Sequence, residues 1–227
     1  MTDEVERIKL AGQIDISCVQ AFHTLKEIDE MIEIAKKYGF AAVFTLPAFS
    51  AHVAERLRDC REIHTGGVVS FPGGGDTIEQ KKRQAKELWE TGCEEVDMVI
   101  NLGDAKQGDF HAITEEIKAL KSVCGDNILK VIIEACFLTN EEKIELCHCV
   151  TEGGADFIKT STGFGSGGAT LEDVKLFKKH IGPNVQIKAA GGIRSISDMK
   201  AYIAEGCSRI GASAAVELLK DHLDEEV

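Results

Sequence analysis

Eight short aliphatic runs recur along this chain, each followed by a stretch with helical spacing. They fall near residues 13–17, 41–46, 65–71, 95–101, 128–134, 155–161, 185–191 and 209–213. Parallel strands need a helix-length crossover between them, so a repeating βα pattern predicts a parallel sheet. Eight such units in 227 residues, with no linker or composition break, predict a single α/β domain over 1–227, a closed (β/α)8 or TIM barrel. A doubly wound open sheet is the other arrangement, but its glycine fingerprint belongs after the first strand. Here that strand ends in Asp15-Ile16-Ser17, and the glycines gather after strands six, seven and eight.

Helix starts and stops follow the same division. Thr24…Glu27, Thr77…Gln80, Thr139…Glu142, Thr170…Asp173 and Ser195…Asp198 have capping-box spacing, each just after a candidate strand. Gly39, Gly92, Gly125 and the pair Gly182-Pro183 precede later strands, and read as glycines with positive φ at helix ends. The acidic tail DHLDEEV reads as the frayed end of the last helix.

Composition narrows the function. Aromatics are only 6% of the residues, so Ala, Val, Ile and Leu carry the core, as suits strands buried on both faces. A net charge of −12 disfavours nucleic acid or an anionic membrane as partner, so any phosphate site must be local. The start MTDEVERIKLAG is unlike a signal peptide, and no apolar run reaches membrane-spanning length. Eight scattered cysteines without a C-x-x-C predict free thiols in a reducing cytoplasm. Cys147-His148-Cys149 has no second ligand pair, and neighbouring helical residues point apart, so neither a metal nor another cofactor is expected.

The chemistry concentrates in ADFIKTSTGFGSGGAT (155–170) and VQIKAAGGIRS (185–195). Each sets a lysine near a strand end before glycines whose backbone N–H groups can approach a phosphate. Alternation along strands puts Lys159 with Phe157 and Ser161, and Lys188 with Gln186, on the faces opposite Ile158 and Ile187. The same parity sets Glu95, Asp97 and Val99 against Val96, Met98 and Ile100, and Lys130, Ile132 and Glu134 against Leu129, Val131 and Ile133. The polar sets then face the barrel axis, which brings Asp97, Lys130, Lys159 and Lys188 into one small space. One reading is an ion-pair cluster that fills the core. The other is a lysine pair in which mutual repulsion frees one amine to attack a carbonyl. Spacing does not choose between Lys159 and Lys188 as nucleophile. The hydroxyls of Thr160, Ser161 and Thr162 offer hydrogen bonds to an adduct at Lys159, whereas Lys188 is followed by alanines. Gly163, Gly191, Gly192, Gly211 and Ser213 come from the loops after strands six, seven and eight, the last two of which commonly build a barrel phosphate site, and Arg194 could add a cation.

Over nearly its whole length the chain resembles the deoxyribose-phosphate aldolases, class I aldolases on a (β/α)8 barrel. The resemblance is carried by VDMVINLG (96–103), LKVIIEACFLT (129–139), ADFIKTSTGFGSGGATLEDV (155–174), IKAAGGIRS (187–195) and RIGAS (209–213). It implies a Schiff base on Lys159, with Lys188 perturbing Lys159 and joining proton transfers, and Asp97 as proton donor and acceptor. It places Asp15 and Lys130 on other active-site positions and Ser17 where the family usually has threonine; Thr160 is expected among the substrate-binding residues from its place in the hydroxyl cluster. It puts Gly163, Gly191, Gly192, Gly211 and Ser213 on the phosphate loops, and it implies a homodimer.

The chain departs from the family pattern at several places. Strand two ends Phe44-Thr45-Leu46-Pro47 where the family commonly has a cysteine and then Asn-Pro or Tyr-Pro, so that wall is bulkier and more apolar. Ser213 is followed by Ala214 rather than a second serine, PGGGDT (72–77) is richer in glycine, and a C-terminal tyrosine is absent. The expected activity is metal-independent cleavage of 2-deoxy-D-ribose 5-phosphate to acetaldehyde and D-glyceraldehyde 3-phosphate. A sister aldolase acting on another aldehyde pair, or a non-catalytic barrel that binds a sugar phosphate, are the alternatives.

Overall fold

The structure, a computed structural model, describes residues 9–213 and 215–217. Its parallel strands close into a barrel in chain order: β1 (Ile14–Cys18), β2 (Ala42–Thr45), β3 (His64–Val69), β4 (Glu95–Val99), β5 (Ile128–Ile132), β6 (Phe157–Lys159), β7 (Gln186–Ala190) and β8 (Arg209–Gly211). β8 returns to β1, with Ile14 opposite Ile210 and Asp15 opposite Gly211, so no sheet edge is left unpaired. The outer layer comprises α1 (Leu25–Tyr38), α2 (Pro47–Leu57), α3 (Ile78–Glu90), α4 (Leu102–Gln107), α5 (Phe110–Cys124), α6 (Asn140–Gly153), α7 (Leu171–His180) and α8 (Ile196–Glu205). This is the architecture that the βα pattern predicts.

Local chemistry accounts for the helix starts. Thr24, Thr77 and Thr139 form complete capping boxes with Glu27, Gln80 and Glu142. Thr170 and Ser195 accept from the backbone N–H groups of Asp173 and Asp198. One expected helix stop is different. Gly39, Gly92 and Gly125 have positive φ, but Gly182 does not, because α7 already ends at Ile181 in extended backbone. Gly182 is small for packing instead: a Cβ there would lie 2.4 Å from Thr151 Cγ2. The tail 221–227, read from sequence as a frayed helix end, lies outside the described residues.

Strand parity divides the core as expected. Val96, Met98, Ile100, Leu129, Val131, Ile133, Ile158 and Ile187 all join the apolar layer between barrel and helices. A separate small cluster of Ala42, Phe44 and Val68 packs apart from that layer. Phe44 needs its neighbour bare, since a Cβ on Gly66 would lie 2.5 Å from the Phe44 ring. Charged side chains stand among the remaining inward positions, Asp15, Glu95, Asp97, Lys130, Lys159 and Lys188 all buried, and there the site begins.

Candidate active site

The strand register sets the heights of the charged side chains. Lys159 on β6 is directly opposite Lys188 on β7 and Ile132 on β5. Lys130 is paired with Asp97 and Phe157, two residues lower on its strand than Ile132. Lys159 Nζ and Lys188 Nζ each donate to Asp97 Oδ2 at 2.7 Å. Lys188 also lies 2.6 Å from Asp15 Oδ2.

Below them the network continues. Lys130 Nζ pairs with Glu95, with Asp15 at 3.2 Å and with Asp97 Oδ1 at 3.5 Å. Arg209 reaches Asp15 Oδ1 at 2.5 Å and Glu95 Oε1 at 2.8 Å, and His64 Nδ1 lies 2.7 Å from Glu95 Oε1. The Phe44 ring lies 4.2 Å from Lys188 Nζ and 4.5 Å from Lys130 Nζ, a cation–π contact to both.

Charge accounting explains the electrostatics. Three carboxylates (Asp15, Glu95, Asp97) face four bases (Lys130, Lys159, Lys188, Arg209) in a nearly dry space. Burial raises the Asp97 carboxyl, but the charges of Lys159, Lys188 and Lys130 more than reverse this and hold it far below the usual range. Burial likewise opposes ionisation of Lys130, and Asp15, Asp97 and Glu95 outweigh it, so Lys130 stays protonated. At Lys188 burial wins. With Lys159 and Lys130 adding repulsion against the pull of Asp15 and Asp97, its pKa falls to about 8. Release of one proton leaves the cluster balanced.

A cavity of about 300 Å³ opens above this network. Asp15, Ser17, Asp97, Lys159, Lys188, Gly163, Gly191, Gly192, Gly211 and Ser213 all line it, as does Phe44. Two expected residues do not. Lys130 is fully buried beneath the wall, committed to the acids around it, because parity fixes a face but not a depth. Thr160 faces away from Lys159, and its hydroxyl joins Ala190 through both the carbonyl and the N–H, each at 3.0 Å. It locks β6 to β7, so it cannot offer the adduct the hydrogen bond expected of it. Thr162 does line the cavity, but its hydroxyl is bound to Glu134.

Glu134 is a site residue that sequence parity placed inward without a role. It follows β5 with φ of 49°, an uncommon conformation for this residue type, and is buried. Its carboxylate accepts from the Thr162 N–H at 3.2 Å, and Thr162 Oγ1 in turn accepts from the Phe164 N–H at 3.0 Å. This chain of bonds shapes the loop over Lys159. Phe164 meets Phe71 edge-on, ring centroids 5.3 Å apart, and both line the cavity. His23 lines it as well. These loop residues carry no periodicity, whereas Arg209 was within reach of the same parity argument as Lys188.

Comparison with known proteins agrees with this geometry. Residues 9–224 match the model of the DeoC/LacD family aldolases. The chain belongs to that family. A deoxyribose-phosphate aldolase of Clostridium botulinum is 49% identical over 93% of this chain and 95% of its own length. One from Clostridioides difficile is 45% identical over 92% and 94%. The solved tetrameric deoxyribose phosphate aldolase of Aeropyrum pernix superposes with a TM-score of 0.84 at 26% identity, covering 96% of this chain and 94% of that one. Among the described residues of this family member, His, Cys, Asp and Glu side chains form no group of three able to hold a metal. Cys147 and Cys149 are unbridged and buried. Among the same residues, no helix is long and apolar enough to cross a membrane.

Proposed function

We propose that the chain is a class I aldolase that reversibly cleaves 2-deoxy-D-ribose 5-phosphate to acetaldehyde and D-glyceraldehyde 3-phosphate. The observation that carries this reading is two lysines sharing one Asp97 oxygen on the wall of a cavity rimmed by glycine loops. An amine attacks only when neutral, and the cluster has one proton too many to keep all its lysines charged.

Lys159 Nζ adds to the C1 aldehyde, and loss of water gives a protonated Schiff base. A base takes the C3 hydroxyl proton, and the pair Lys188–Asp97 is in place to move it. The C2–C3 bond then breaks, its electron pair passes into the iminium, and glyceraldehyde 3-phosphate leaves. The enamine takes a proton at C2, and water releases acetaldehyde and frees Lys159. The iminium is the electron sink, so no metal is needed to stabilise the carbanion. Asp15 and Ser17 orient the sugar, Lys130 holds Asp15 and Asp97 from below, and Thr160 fixes the β6 end. The amides of Gly163, Gly191, Gly192, Gly211 and Ser213 hold the phosphate. The working protein is a cytoplasmic homodimer of single-domain chains spanning 1–227, acts on small sugar phosphates and aldehydes, and binds no nucleic acid or membrane.

Borohydride treatment with acetaldehyde, followed by peptide mapping, tests this. An ethyl group on Lys159 supports the reading, together with turnover of 2-deoxyribose 5-phosphate that survives prolonged chelation. A label on Lys188 or Lys130 reverses the roles of the lysines. Activity lost to a chelator and restored by zinc refutes the class I mechanism.

A further inference from the structure

The cavity rim is rich in backbone donors and poor in charge. None of Gly163, Gly191, Gly192, Gly211 and Ser213 can hold a formal charge. The two lysines of the wall are engaged below the rim, Lys159 on Asp97, and Lys188 on Asp97 and Asp15. Arg194, the cation that the sequence offered, is exposed and is not on the cavity wall. Among the described residues, one further wall residue can carry positive charge, and it is His23.

Topology brings His23 to the rim. β1 is paired with β8, and the Ala212 N–H donates to the Asp15 carbonyl at 3.3 Å. The loop that leaves β1 therefore lies beside the loop that leaves β8, and Val19, Gln20 and His23 share the cavity with Gly211 and Ser213. The ring is also oriented. Gln20 N–H donates to His23 Nδ1 at 3.3 Å, and the same turn closes through His23 N–H to the Gln20 carbonyl at 3.1 Å. With Nδ1 accepting, the proton of the neutral ring resides on Nε2, which makes Nε2–H a donor in either charge state. Glu27, whose charge reaches His23, is held by the Thr24 N–H at 2.7 Å and the Thr24 hydroxyl at 2.8 Å.

We propose that His23 determines specificity for a phosphorylated substrate, its Nε2–H donating to a phosphate oxygen held at the β7–β8 rim. The proposal rests on the aldolase reading above and adds the side chain that recognises the anion. A hydrogen bond to a charged oxygen is among the stronger ones, and losing it should cost about tenfold in binding.

The test compares 2-deoxyribose 5-phosphate with unphosphorylated 2-deoxyribose for the wild type, His23→Leu and His23→Gln. In His23→Leu the ratio of kcat/KM for the two substrates should fall about tenfold through KM of the phosphorylated one. His23→Gln, whose amide can stand near Nε2, should recover part of it. A ratio that stays within about twofold of wild type overturns the proposal. If the wild type cleaves neither sugar, the aldolase reading falls, and a binding measurement decides the role of His23. Ring-nitrogen-labelled histidine is observed by NMR during titration with glycerol 3-phosphate, His23 being identified by the signal that His23→Gln lacks. A shift of that signal supports the proposal, and an unmoved signal overturns it.

Discussion

Lys159 and Lys188 face each other across β6 and β7, and both donate to a single oxygen of Asp97 at 2.7 Å. The two ammonium groups are thus within two hydrogen-bond lengths of each other. Removing one changes the electrostatic field at the other. In Lys188→Leu the neighbouring charge is gone, and with it the amine that shares the Asp97 oxygen and could take up a proton from Lys159, so borohydride-trapped adduct should form at least about tenfold more slowly, still on Lys159. Lys159→Arg should form no adduct, since guanidinium does not deprotonate. A Lys188→Leu protein that forms adduct at the wild-type rate would contradict the coupling.

The pH profile should show the same proton. Lys188 titrates near 8, displaced from the ordinary lysine value of 10.5. Once neutral, Lys188 can accept a proton from Lys159 through the shared Asp97 oxygen, so adduct formation should rise as the pH passes through about 8, measured by quenching with borohydride at intervals. The group has a lower pKa folded than unfolded, so its contribution to stability grows with pH between those two values. Burial screens the pair from solvent ions, and the inflection should move little with added salt. A flat profile across that range would place the critical proton elsewhere.

Arg209 is a stability prediction. It bridges Glu95 and Asp15 where neither carboxylate has water to turn to. Arg209→Leu strips both buried carboxylates of their guanidinium hydrogen bonds and should cost about 3–5 kcal/mol, a large part of a typical domain's stability. Urea unfolding measures it. A loss below about 1 kcal/mol would mean that Lys130, Lys188 and His64 hold the two carboxylates without it.

Glu134 should act through its loop. In Glu134→Ala the Thr162 N–H and hydroxyl lose their acceptor. Amide hydrogen exchange in the peptide covering 162–168 should quicken while the barrel strands stay protected. KM should rise more than kcat falls, because Gly163 in that loop lines the cavity. Unchanged exchange in that peptide would remove Glu134 from this role.

Gly168 is where two loops touch by bare backbone. A Cβ there would lie 2.1 Å from the Gly191 carbonyl oxygen, and backbone cannot step aside as a side chain can. Gly168→Ala should raise KM for a phosphorylated substrate and lower Tm by roughly 3–10 °C, read by a thermal melt. A variant with wild-type KM would show that the loop tolerates the displacement.

The barrel could be read in the sequence because its period and its caps agree: Thr24, Thr77 and Thr139 mark helix starts that the structure reproduces. Parity likewise brought Asp97, Lys159 and Lys188 together. Parity cannot report depth, which is why Lys130 was expected on the wall and lies below it. Nor does it show what a hydroxyl chooses as partner. Thr160 follows the lysine in sequence but turns outward to Ala190, as the residue next to an inward one must. His23, Phe71 and Phe164 stand on loops, where no repeat constrains direction, and only the folded chain brings them to one cavity.

The contact between Gly168 and Gly191 has a consequence for rebuilding substrate range. The Ala169 N–H donates to the carbonyls of Ala190 and Gly191, each at 3.1 Å, and Thr160 fastens the strand ends beneath. The two loops are a single inheritable part. A loop transplanted from a relative at 163–169 alone would meet a surface shaped for its absent counterpart. Libraries that vary 163–169 and 190–192 together should keep folded members that one-loop libraries lose.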